Sequence, residues 1–320
     1  MAETDRPTMV VDEIVERMLP LYRAEHIDAP EAIGPVLPHR RRVVEAQELL
    51  LALLLPAGSS PEAVQPELLR VFLHERLSRA FRLLTIEVAR ALPLRWRGAY
   101  AEFEARSGRA RHAHIPSEAL LRDAADLVGQ FVERLPSVRE MLIADIRAAY
   151  EGDPAALSYA EVMLTYPGVA AIASHRVAHE LYRLDIPVVP RIMSEQTHAV
   201  VGVDIHPGAT VGSGFFMDHA TGVVIGETAV VGEHVKLYQG VTLGARSFPL
   251  DETGHPQKRI RRHPTVEDRV IIYANATILG PVTIGAGSEI GGNVFLVHDV
   301  PPGSRVRQRS ETEVRGPEAG

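Results

Sequence analysis

The fold is decided by residues 266–290, which read Val266-Glu-Asp-Arg-Val-Ile-Ile-Tyr-Ala-Asn-Ala-Thr-Ile-Leu-Gly-Pro-Val-Thr-Ile-Gly-Ala-Gly-Ser-Glu-Ile290. An aliphatic residue returns at every sixth position, at Val266, Ile272, Ile278, Ile284 and Ile290. Neither the 3.6-residue period of an amphipathic helix nor the two-residue alternation of a half-buried strand is sustained. A six-residue period is typical of a parallel β-helix, in which each unit supplies one short strand and one turn. We therefore predict a solenoid in which three units close a triangular coil.

The six-residue pattern extends towards the N-terminus and is interrupted twice. It includes, in order, Ile205, Val211, Met217, Ile225, Val231, Leu237 and Leu243. The first interruption is a slip of two residues between Met217 and Ile225, beside His219. The second is segment 245–264, which contains prolines and a basic run. Because each coil packs mainly on the coils above and below it, a coil can expel such a loop without disturbing its neighbours. We expect this loop to overhang a site.

The composition is that of an ordinary globular protein. With 320 residues, 46% of them hydrophobic, the chain is long enough for two domains. The formal net charge of −7 gives no general case for binding nucleic acid or an anionic membrane. The absence of cysteine excludes disulfides and thiol catalysis and fits a reducing compartment. The longest apolar run is far shorter than the roughly 20 residues that span a bilayer, and residues 1–6 lack the basic start of a signal peptide. We expect a cytoplasmic protein.

The part of the sequence before about residue 200 has the pattern of helices. Apolar residues recur at spacings of three and four between Leu69 and Val88, which predicts one long helix. Ser137 and Glu140 have the spacing of a capping box at the start of another helix. We therefore predict an α + β chain in three parts, an α-helical domain over 1–199, a β-helix domain over 200–307 and a flexible tail over 308–320.

A set of motifs lies within the predicted β-helix. The motifs are Val203-Asp-Ile-His-Pro-Gly-Ala-Thr-Val-Gly212, Met217-Asp-His-Ala-Thr-Gly222, Ile225-Gly-Glu-Thr-Ala229, Gln239-Gly-Val-Thr-Leu-Gly244, Arg262-His263-Pro264 and Val300-Pro-Pro-Gly303. Together they resemble the serine O-acetyltransferase family. The resemblance implies a left-handed β-helix, assembly into trimers and transfer of acetyl from acetyl-CoA to the hydroxyl of L-serine, the step that commits serine to cysteine synthesis. It implies acetyl-CoA as co-substrate, no tightly bound cofactor and no metal.

His219 is the residue to which the resemblance gives the chemistry. Acyl transfer to an alcohol needs a base that takes the hydroxyl proton, and imidazole is suited to this at neutral pH. The resemblance assigns this role to His219 and makes Asp204, fifteen positions earlier, the carboxylate that orients it. From the spacing alone, Asp204 could cap a turn and His219 could be a solvated turn residue.

The resemblance also implies the contacts of the serine substrate. Asp153 and Asp218 would face its ammonium and hydroxyl, while Arg262 and His263 would hold its carboxylate, Arg262 by a two-pronged contact. Two of these residues have another interpretation. Asp153 before Pro154 has the pattern of a helix N-cap with proline at the first helical position. Arg262 belongs to a basic run that could be a solvated loop.

The implied contacts of acetyl-CoA are Gly244, Ala245 and Ala274. Both stretches depart from the usual pattern of the family. Ala245-Arg246-Ser247 stands where a second Gly and a Thr usually follow, and Tyr273 stands where a small Gly is common. The remaining basic residues of the loop could meet the phosphates of CoA; they are Lys258, Arg259 and Arg261.

Two other functions stay open at this point. A zinc-dependent hydratase of the γ-type carbonic anhydrase class also uses this helix, and several histidines lie on it, at His206, His219, His234, His263 and His298. Such a site would need three imidazoles that converge across a subunit interface. The second alternative is a non-catalytic binding solenoid. His175 and His179 are four apart on a predicted helix, as metal ligands can be, but no third ligand follows, which favours packing roles.

The resemblance sets expectations about partners as well. It favours L-serine over a related acceptor such as homoserine, a homotrimer or a pair of trimers, and inhibition by cysteine in the serine pocket. Family members that bind the next enzyme, O-acetylserine sulfhydrylase, insert a C-terminal Ile into it, whereas this sequence ends Pro317-Glu-Ala-Gly320. Because burying an Ile-sized side chain is worth about 1.5–3 kcal/mol, we expect weak or no binding through this tail.

Overall fold

The computed structural model describes residues 37–56, 66–95, 116–252, 254–257 and 260–308, as well as positions 14 and 16. Its first part is helical: α1 Arg40–Leu54, α2 Pro66–Ala91, α3 Glu118–Val132, α4 Leu135–Gly152, α5 Tyr159–Thr165, α6 Pro167–Arg183 and α7 Val189–Val201, with a 3₁₀ turn at Leu92–Arg95. None of the helices in the described ranges combines the length and the apolar character needed to cross a membrane.

The long helix that the spacing predicts between Leu69 and Val88 is confirmed as α2. The capping box is wrong. Helix α4 already begins at Leu135, and its N-cap is Arg134, which makes no side-chain capping hydrogen bond. Ser137 therefore lies inside the first turn of α4. The tail beyond residue 308 and the basic residues 258 and 259 lie outside the described residues.

Short parallel strands follow the helices. In the described part of the chain they are β1 Asp204–Ile205, β2 Thr210–Val211, β3 Phe216–Asp218, β4 Val224–Ile225, β5 Val230–Val231, β6 Lys236–Tyr238, β7 Thr242–Gly244, β8 Thr265–Val266, β9 Ile271–Ile272, β10 Thr277–Leu279, β11 Thr283–Ile284, β12 Glu289–Ile290, β13 Phe295–Leu296 and β14 Arg305–Val306. They form three sheets. Sheet A has the order β1-β4-β7-β10-β13, sheet B β11-β8-β5-β2 and sheet C β14-β12-β9-β6-β3. The predicted α + β fold with a parallel β-helix is confirmed.

The strand register explains both interruptions of the sequence pattern. Val224 pairs with Thr242 and Thr277 pairs with Phe295, so a regular coil takes eighteen residues. Asp204 pairs with Val224, so the first coil takes twenty. Thr242 pairs with Thr277, thirty-five residues later, and the surplus is the loop between β7 and β8. The ladder of strands therefore continues past the loop without a break.

The inside of the coils is filled by the residues of the six-residue pattern. Val266, Ile272, Ile278, Ile284 and Ile290 are completely buried. Their apolar cluster is continuous with that of the helices and includes buried residues of α1, α2 and α6. The division into parts over 1–199, 200–307 and 308–320 stays a prediction, because one apolar core runs through both the helices and the coils.

A buried ion pair attaches the helices to the first coil. Arg176 on α6 donates to the carboxylate of Asp145 on α4 through Nε at 2.7 Å and Nη2 at 2.8 Å. The same guanidinium donates to the carbonyl oxygens of Val211 at 3.0 Å and Gly212 at 2.8 Å. The amide of Phe215 donates to Asp145 Oδ1 at 2.9 Å. Two helices and the segment between β2 and β3 are thereby held together by one pair of side chains.

Candidate active site

His219 lies in the turn that contains the two surplus residues of the first coil. This turn, between β3 and β4, has left-handed backbone at His219 with φ 59 and at Ala220 with φ 62. Two consecutive residues with side chains in this region are uncommon, since each costs roughly 1–2 kcal/mol. The methyl of Ala220 is buried, whereas the imidazole of His219 is 72% exposed. The insertion thus lifts the imidazole out of the coil, where an acceptor hydroxyl can reach it.

The nearest charges to His219 come from neighbouring strands. Asp218 Oδ1 lies 3.8 Å from His219 Nε2. Asp218 Oδ2 lies 3.8 Å from the Nζ of Lys236, whose strand β6 pairs with β3 one coil further on. Lys236 Nζ also donates to the carbonyl oxygen of Gly152 at 2.7 Å, at the end of α4. A row of polar and charged groups therefore runs from His219 through Asp218 and Lys236 to the helices.

Asp153 belongs to the same cluster. The hydroxyl of Tyr166 donates to Asp153 Oδ2 at 2.5 Å, and the amide of Ala155 donates to Oδ1 at 2.8 Å. These two bonds, with the nearby charges of Lys236 and His219, lower the pKa of Asp153. The bond to Asp153 also raises the pKa of Tyr166 to about 12. A carboxylate that stays ionised beside His219 can bind an ammonium group.

The alternative interpretation of Asp153 as a helix N-cap is wrong. Asp153 directly follows Gly152 as the C-cap of α4, and the next helix, α5, begins at Tyr159 with Ser158 as its N-cap. The side chain of Asp153 instead caps the turn at residues 154–155 through the amide of Ala155. The turn and the bond to Tyr166 together hold both carboxylate oxygens of Asp153 in place.

Asp204 lies at the start of β1 and pairs with Val224, the first residue of β4 after the turn of His219, so Asp204 and His219 lie at the same corner of the triangular coil, one layer apart. Its carboxylate, the carboxylate of Glu195 and a ring nitrogen of His198 lie within 4.8 Å of one another. Across the described residues, no hydrogen bond or ion pair joins Asp204 to His219. The dyad of His219 and Asp204 stays a prediction.

Arg262 makes an ion pair in the turn between β4 and β5. Its Nη2 donates to Glu227 Oε2 at 2.5 Å, and the hydroxyl of Tyr182 donates to the other oxygen at 3.2 Å. Burial acts to raise the pKa of Glu227, but the hydrogen bond and charge of Arg262 outweigh it, so the pKa is lowered. Arg262 is 21% exposed. The interpretation of Arg262 as part of a solvated loop is therefore wrong.

His263 is fixed against the same turn. The amide of Thr228 donates to His263 Nδ1 at 3.1 Å, so the neutral ring carries its proton on Nε2. Burial and then the charge of Arg262 lower the pKa of His263 to about 4. The ring lies so close to Gly226 that a Cβ on Gly226 would stand 2.1 Å from Nε2. His263 is therefore a preformed neutral donor beside a guanidinium, a combination suited to a carboxylate.

The cluster around His219 and the pair Arg262–His263 lie on different edges of the triangular coil. His219 lies where the chain passes from sheet C to sheet A, which we call the His219 edge. Arg262, His263 and Glu227 lie where it passes from sheet A to sheet B, which we call the Arg262 edge. A cavity of about 860 Å³ opens on the Arg262 edge and is lined by residues that include Tyr182, Arg191, His206, Glu227 and Thr228. One chain thus does not bring the two predicted halves of the serine site together.

The implied CoA contacts are also divided between the two edges. Gly244 ends β7 and, with Ala245, lies on the Arg262 edge, whereas Ala274 lies on the His219 edge. Beside Ala274, the ring of Tyr273 stacks on that of Tyr238 with centroids 5.2 Å apart. A Cβ on Gly244 would stand 2.8 Å from a side-chain carbon of Leu279, so only glycine fits there without a shift.

The histidines expected to pack do so. His175 is fully buried on α6, and burial lowers its pKa well below the usual value. His179 Nδ1 lies 2.8 Å from the carbonyl oxygen of Pro207 and fastens α6 to the turn after β1. Within the described ranges, the only group of three histidine or acidic side chains with metal-ligand spacing is that of Glu195, His198 and Asp204. None of the five histidines weighed as zinc ligands belongs to that group.

Sequence reasoning did not single out Tyr166, Glu227 and Lys236. All three are polar partners of residues that it did select. Tyr166 directly precedes Pro167, and Glu227 lies within a quoted motif, so both offered a weak signal. Lys236 offered none, because the six-residue pattern marks inward positions and does not rank the outward ones.

Family models match both parts of the chain. A model described as "Serine acetyltransferase, N-terminal" matches residues 107–174. A model described as "Bacterial transferase hexapeptide (six repeats)" matches residues 263–298. The first match includes Asp153 and Tyr166, and the second begins at His263.

Similar proteins agree with these models. The "Serine acetyltransferase, plasmid" of Synechococcus elongatus is 53% identical over 189 residues, which are 59% of this chain and 59% of that protein. Serine acetyltransferase isoform 3 of Entamoeba histolytica, solved in complex with cysteine, is 32% identical with a TM-score of 0.67, over 85% of this chain and 84% of that one. The enzyme of Neisseria gonorrhoeae in complex with serine is 30% identical with a TM-score of 0.52, over 83% and 95%. The chain thus spans about three fifths of the length of the first relative and most of both solved ones.

Proposed function

Since this chain belongs to the serine acetyltransferase family, we propose that it transfers the acetyl group of acetyl-CoA to the hydroxyl of L-serine. The observation that carries the proposal is the exposed imidazole of His219, lifted out of the first coil by a two-residue insertion and surrounded by Asp218, Asp153 and Lys236. Acyl transfer to an alcohol needs one base beside a binding site for the acceptor, and this cluster offers both.

In the proposed reaction, His219 takes the proton of the serine hydroxyl while the serine oxygen attacks the thioester carbonyl. The tetrahedral intermediate then collapses with cleavage of the carbon–sulfur bond. The imidazolium returns its proton to the departing sulfur, so the products are O-acetyl-L-serine and free CoA. Gly244, Ala245 and Ala274 would lie along the acetyl-CoA.

The serine substrate would be held by charges of both signs. Asp153 and Asp218 would bind its ammonium, and the ionised state of Asp153 supports this role. Arg262 and the neutral ring of His263 would bind its carboxylate, by charge and by the Nε2 donor respectively. Glu227 holds Arg262 in place for that contact.

We propose that the carboxylate of Asp204 orients the imidazole of His219. The alternative is that Asp218 has this role. Asp218 is nearer to His219 in the chain as described, at 3.8 Å. The two assignments predict different kinetics. If Asp204 orients the base, Asp204→Asn lowers kcat, while Asp218→Asn mainly raises the KM for serine. A low kcat with Asp218→Asn and a normal one with Asp204→Asn would exchange the two roles.

The proposed assembly is a homotrimer, either alone or as a pair of trimers. The predicted serine contacts lie on two edges of one chain, separated by sheet A. A neighbouring copy that packs its Arg262 edge against the His219 edge of this chain would unite Asp218 and His219 with Arg262 and His263. Three copies related by a threefold axis satisfy this contact for every subunit. Light scattering gives the copy number directly.

Other parts of the proposal concern the setting of the enzyme. We propose a cytoplasmic location, which the absence of cysteine supports. We propose serine rather than homoserine as acceptor and cysteine as a competitor for the same pocket, since the relatives named above were solved with serine and with cysteine.

The proposal is tested by release of CoA thiol from acetyl-CoA in the presence of L-serine. The chain contains no cysteine, so a thiol reagent reports only CoA. We expect release that depends on serine, is weaker with homoserine and is inhibited by cysteine, with His219→Ala as the inactive control. Stoichiometric zinc with hydration of CO₂ would favour the hydratase instead. Binding of acetyl-CoA without turnover would favour a non-catalytic solenoid.

A further inference from the structure

Lys236 is a nearly buried cation at the centre of the candidate site. Its side chain is 18% exposed, and its Nζ lies over the rings of Phe216 at 4.8 Å and Tyr238 at 4.7 Å. Placing an ammonium group among apolar surfaces is costly unless the group is paired. The pairing comes from the carbonyl oxygen of Gly152 and the carboxylate of Asp218. Lys236 is therefore held as a fixed charge.

The surroundings of Lys236 are suited to a cation. Gly152 is the last residue of α4, where the partial negative charge of the helix dipole favours a cation. The faces of the two aromatic rings add cation–π attraction. Gly152 also has no room for a side chain, because a Cβ would stand 2.9 Å from the ring of Phe216 and 3.9 Å from Nζ. The close approach of α4 to Phe216 on β3 thus depends on a glycine.

The position of Lys236 matters because of what Asp218 does to His219. A carboxylate 3.8 Å from an imidazole favours the protonated ring, and a protonated ring cannot accept a proton from serine. Lys236 lies at the same distance from the other oxygen of that carboxylate and offsets its charge. The other ionisable groups near the cluster, among the described residues, include Asp153 after α4, Tyr166 at the start of α6, Glu161 on α5 and Tyr238 on β6.

We propose that Lys236 is a positioning residue, which binds Asp218 and thereby keeps His219 able to act as a base at neutral pH. This inference rests on the proposed acetyl transfer for its kinetic readout. Lys236 does not touch the reacting atoms; it acts on His219 through Asp218.

The test is the pH dependence of kcat/KM for serine in three variants. Lys236→Met removes the charge, Lys236→Gln removes the charge but keeps a donor for Gly152, and Lys236→Arg keeps both. A positive charge near an imidazole disfavours the protonated ring, so removing that charge favours protonation. We expect the acid limb of Lys236→Met and Lys236→Gln to move up by about one pH unit, so activity falls about tenfold at low pH and approaches that of the natural sequence above the limb.

Lys236→Arg should leave the acid limb of the pH profile at its original pH, and so should Arg305→Met. Arg305 serves as the matched control because it is a cation on the same sheet, paired with Glu289 at a distance of three to four coils from the strand that precedes His219. A uniform loss at all pH values in Lys236→Met and Lys236→Gln would overturn the inference and leave only a structural role. The double variant Asp218→Asn with Lys236→Met should return the limb to its original pH, and a limb that stays displaced would equally overturn the pathway through Asp218.

A second readout does not depend on turnover. The ring-carbon NMR signal of His219, identified with His219→Asn, reports protonation of the imidazole directly. We expect its titration midpoint to rise by about one pH unit in Lys236→Gln and to stay unchanged in Arg305→Met. A rise in a protein that does not acetylate serine would support the role of Lys236 and reject the proposed function. An unchanged titration midpoint in an enzyme that does acetylate serine would reject the role of Lys236 and leave the proposed function standing.

Discussion

Replacing the buried pair of Asp145 and Arg176 by apolar side chains should destabilise this protein even though such replacements are often harmless. Exchanging both members of a buried ion pair for apolar residues of similar size is frequently neutral, or stabilising by about 1–4 kcal/mol, because the cost of desolvating two charges disappears. Here each member also serves the backbone of the first coil. The carbonyl oxygens of Val211 and Gly212 accept from Arg176, and the amide of Phe215 donates to Asp145.

The size of the effect follows from these three bonds. In the double variant Asp145→Leu, Arg176→Met, three buried or partly buried backbone groups lose their partners, at about 1–3 kcal/mol each. Subtracting the gain from removing the charges leaves a net loss of about 3 kcal/mol. The single variant Arg176→Met should cost more, about 3–5 kcal/mol, because it leaves the Asp145 carboxylate buried without its counter-ion.

The assay is urea unfolding followed by far-UV circular dichroism at one fixed protein concentration. The matched control is Arg305→Met, since the pair of Arg305 with Glu289 is exposed and should contribute within about 1 kcal/mol. A double variant as stable as the natural sequence would refute the reasoning, because the three backbone hydrogen bonds would then make no net contribution to the free energy of unfolding. Equal losses for the single and double variants would refute only the estimate for the isolated carboxylate.

Four further results are expected. His219→Ala should lower kcat by about 10²–10⁴-fold with little change in thermal stability, and near-normal turnover at saturating substrates would contradict the role as base. Gly226→Ala should raise the KM for serine at least about tenfold because its Cβ would displace the ring of His263, whereas Gly129→Ala, with open space around it, serves as the control in unfolding and kinetic assays. Val188→Gly should raise stability by about 1 kcal/mol, measured by urea unfolding, since Val188 has φ 63 at the start of α7 and glycine adopts such a backbone without strain. Because the pKa of His263 is lowered to about 4, its contribution to stability is complete above about pH 6.5 and is lost as pH falls towards 4; His263→Gln should flatten that part of the unfolding profile, and an unchanged profile would contradict the assignment.

The sequence alone was sufficient to predict the coils, because one rule repeats in every unit. An inward position must be apolar or small in every unit, so the series from Val266 to Ile290 determines the strands and their register. The slip beside His219 was visible for the same reason, since it breaks a period that holds elsewhere. The boundaries of the helices were harder to predict from the sequence. Ser137 and Glu140 satisfy a local capping rule, but tertiary packing starts the helix earlier, at Leu135.

The contacts of the site could be predicted only in part. Motifs indicated which residues to consider, but not which side chains meet. Asp218 and Lys236 become neighbours only when the first coil is known to take twenty residues, and Glu227 meets Arg262 only after the loop has left the coil and returned. The alternative of Asp153 as an N-cap suited its local sequence, but its hydrogen-bond partner Tyr166 lies beyond α5, too far along the chain for a local rule to indicate.

The loop between β7 and β8 leaves a coil whose neighbours keep their pairing, and this has a consequence for protein engineering. Each coil adds a layer of about 4.8 Å, the usual distance between paired strands. A designed coil of eighteen residues placed after β10 would therefore lengthen the wall by one layer without altering the turn of His219. A series of such insertions would move every distal contact away from the imidazole in equal steps, which makes the coil a molecular ruler for the reach of an acyl donor.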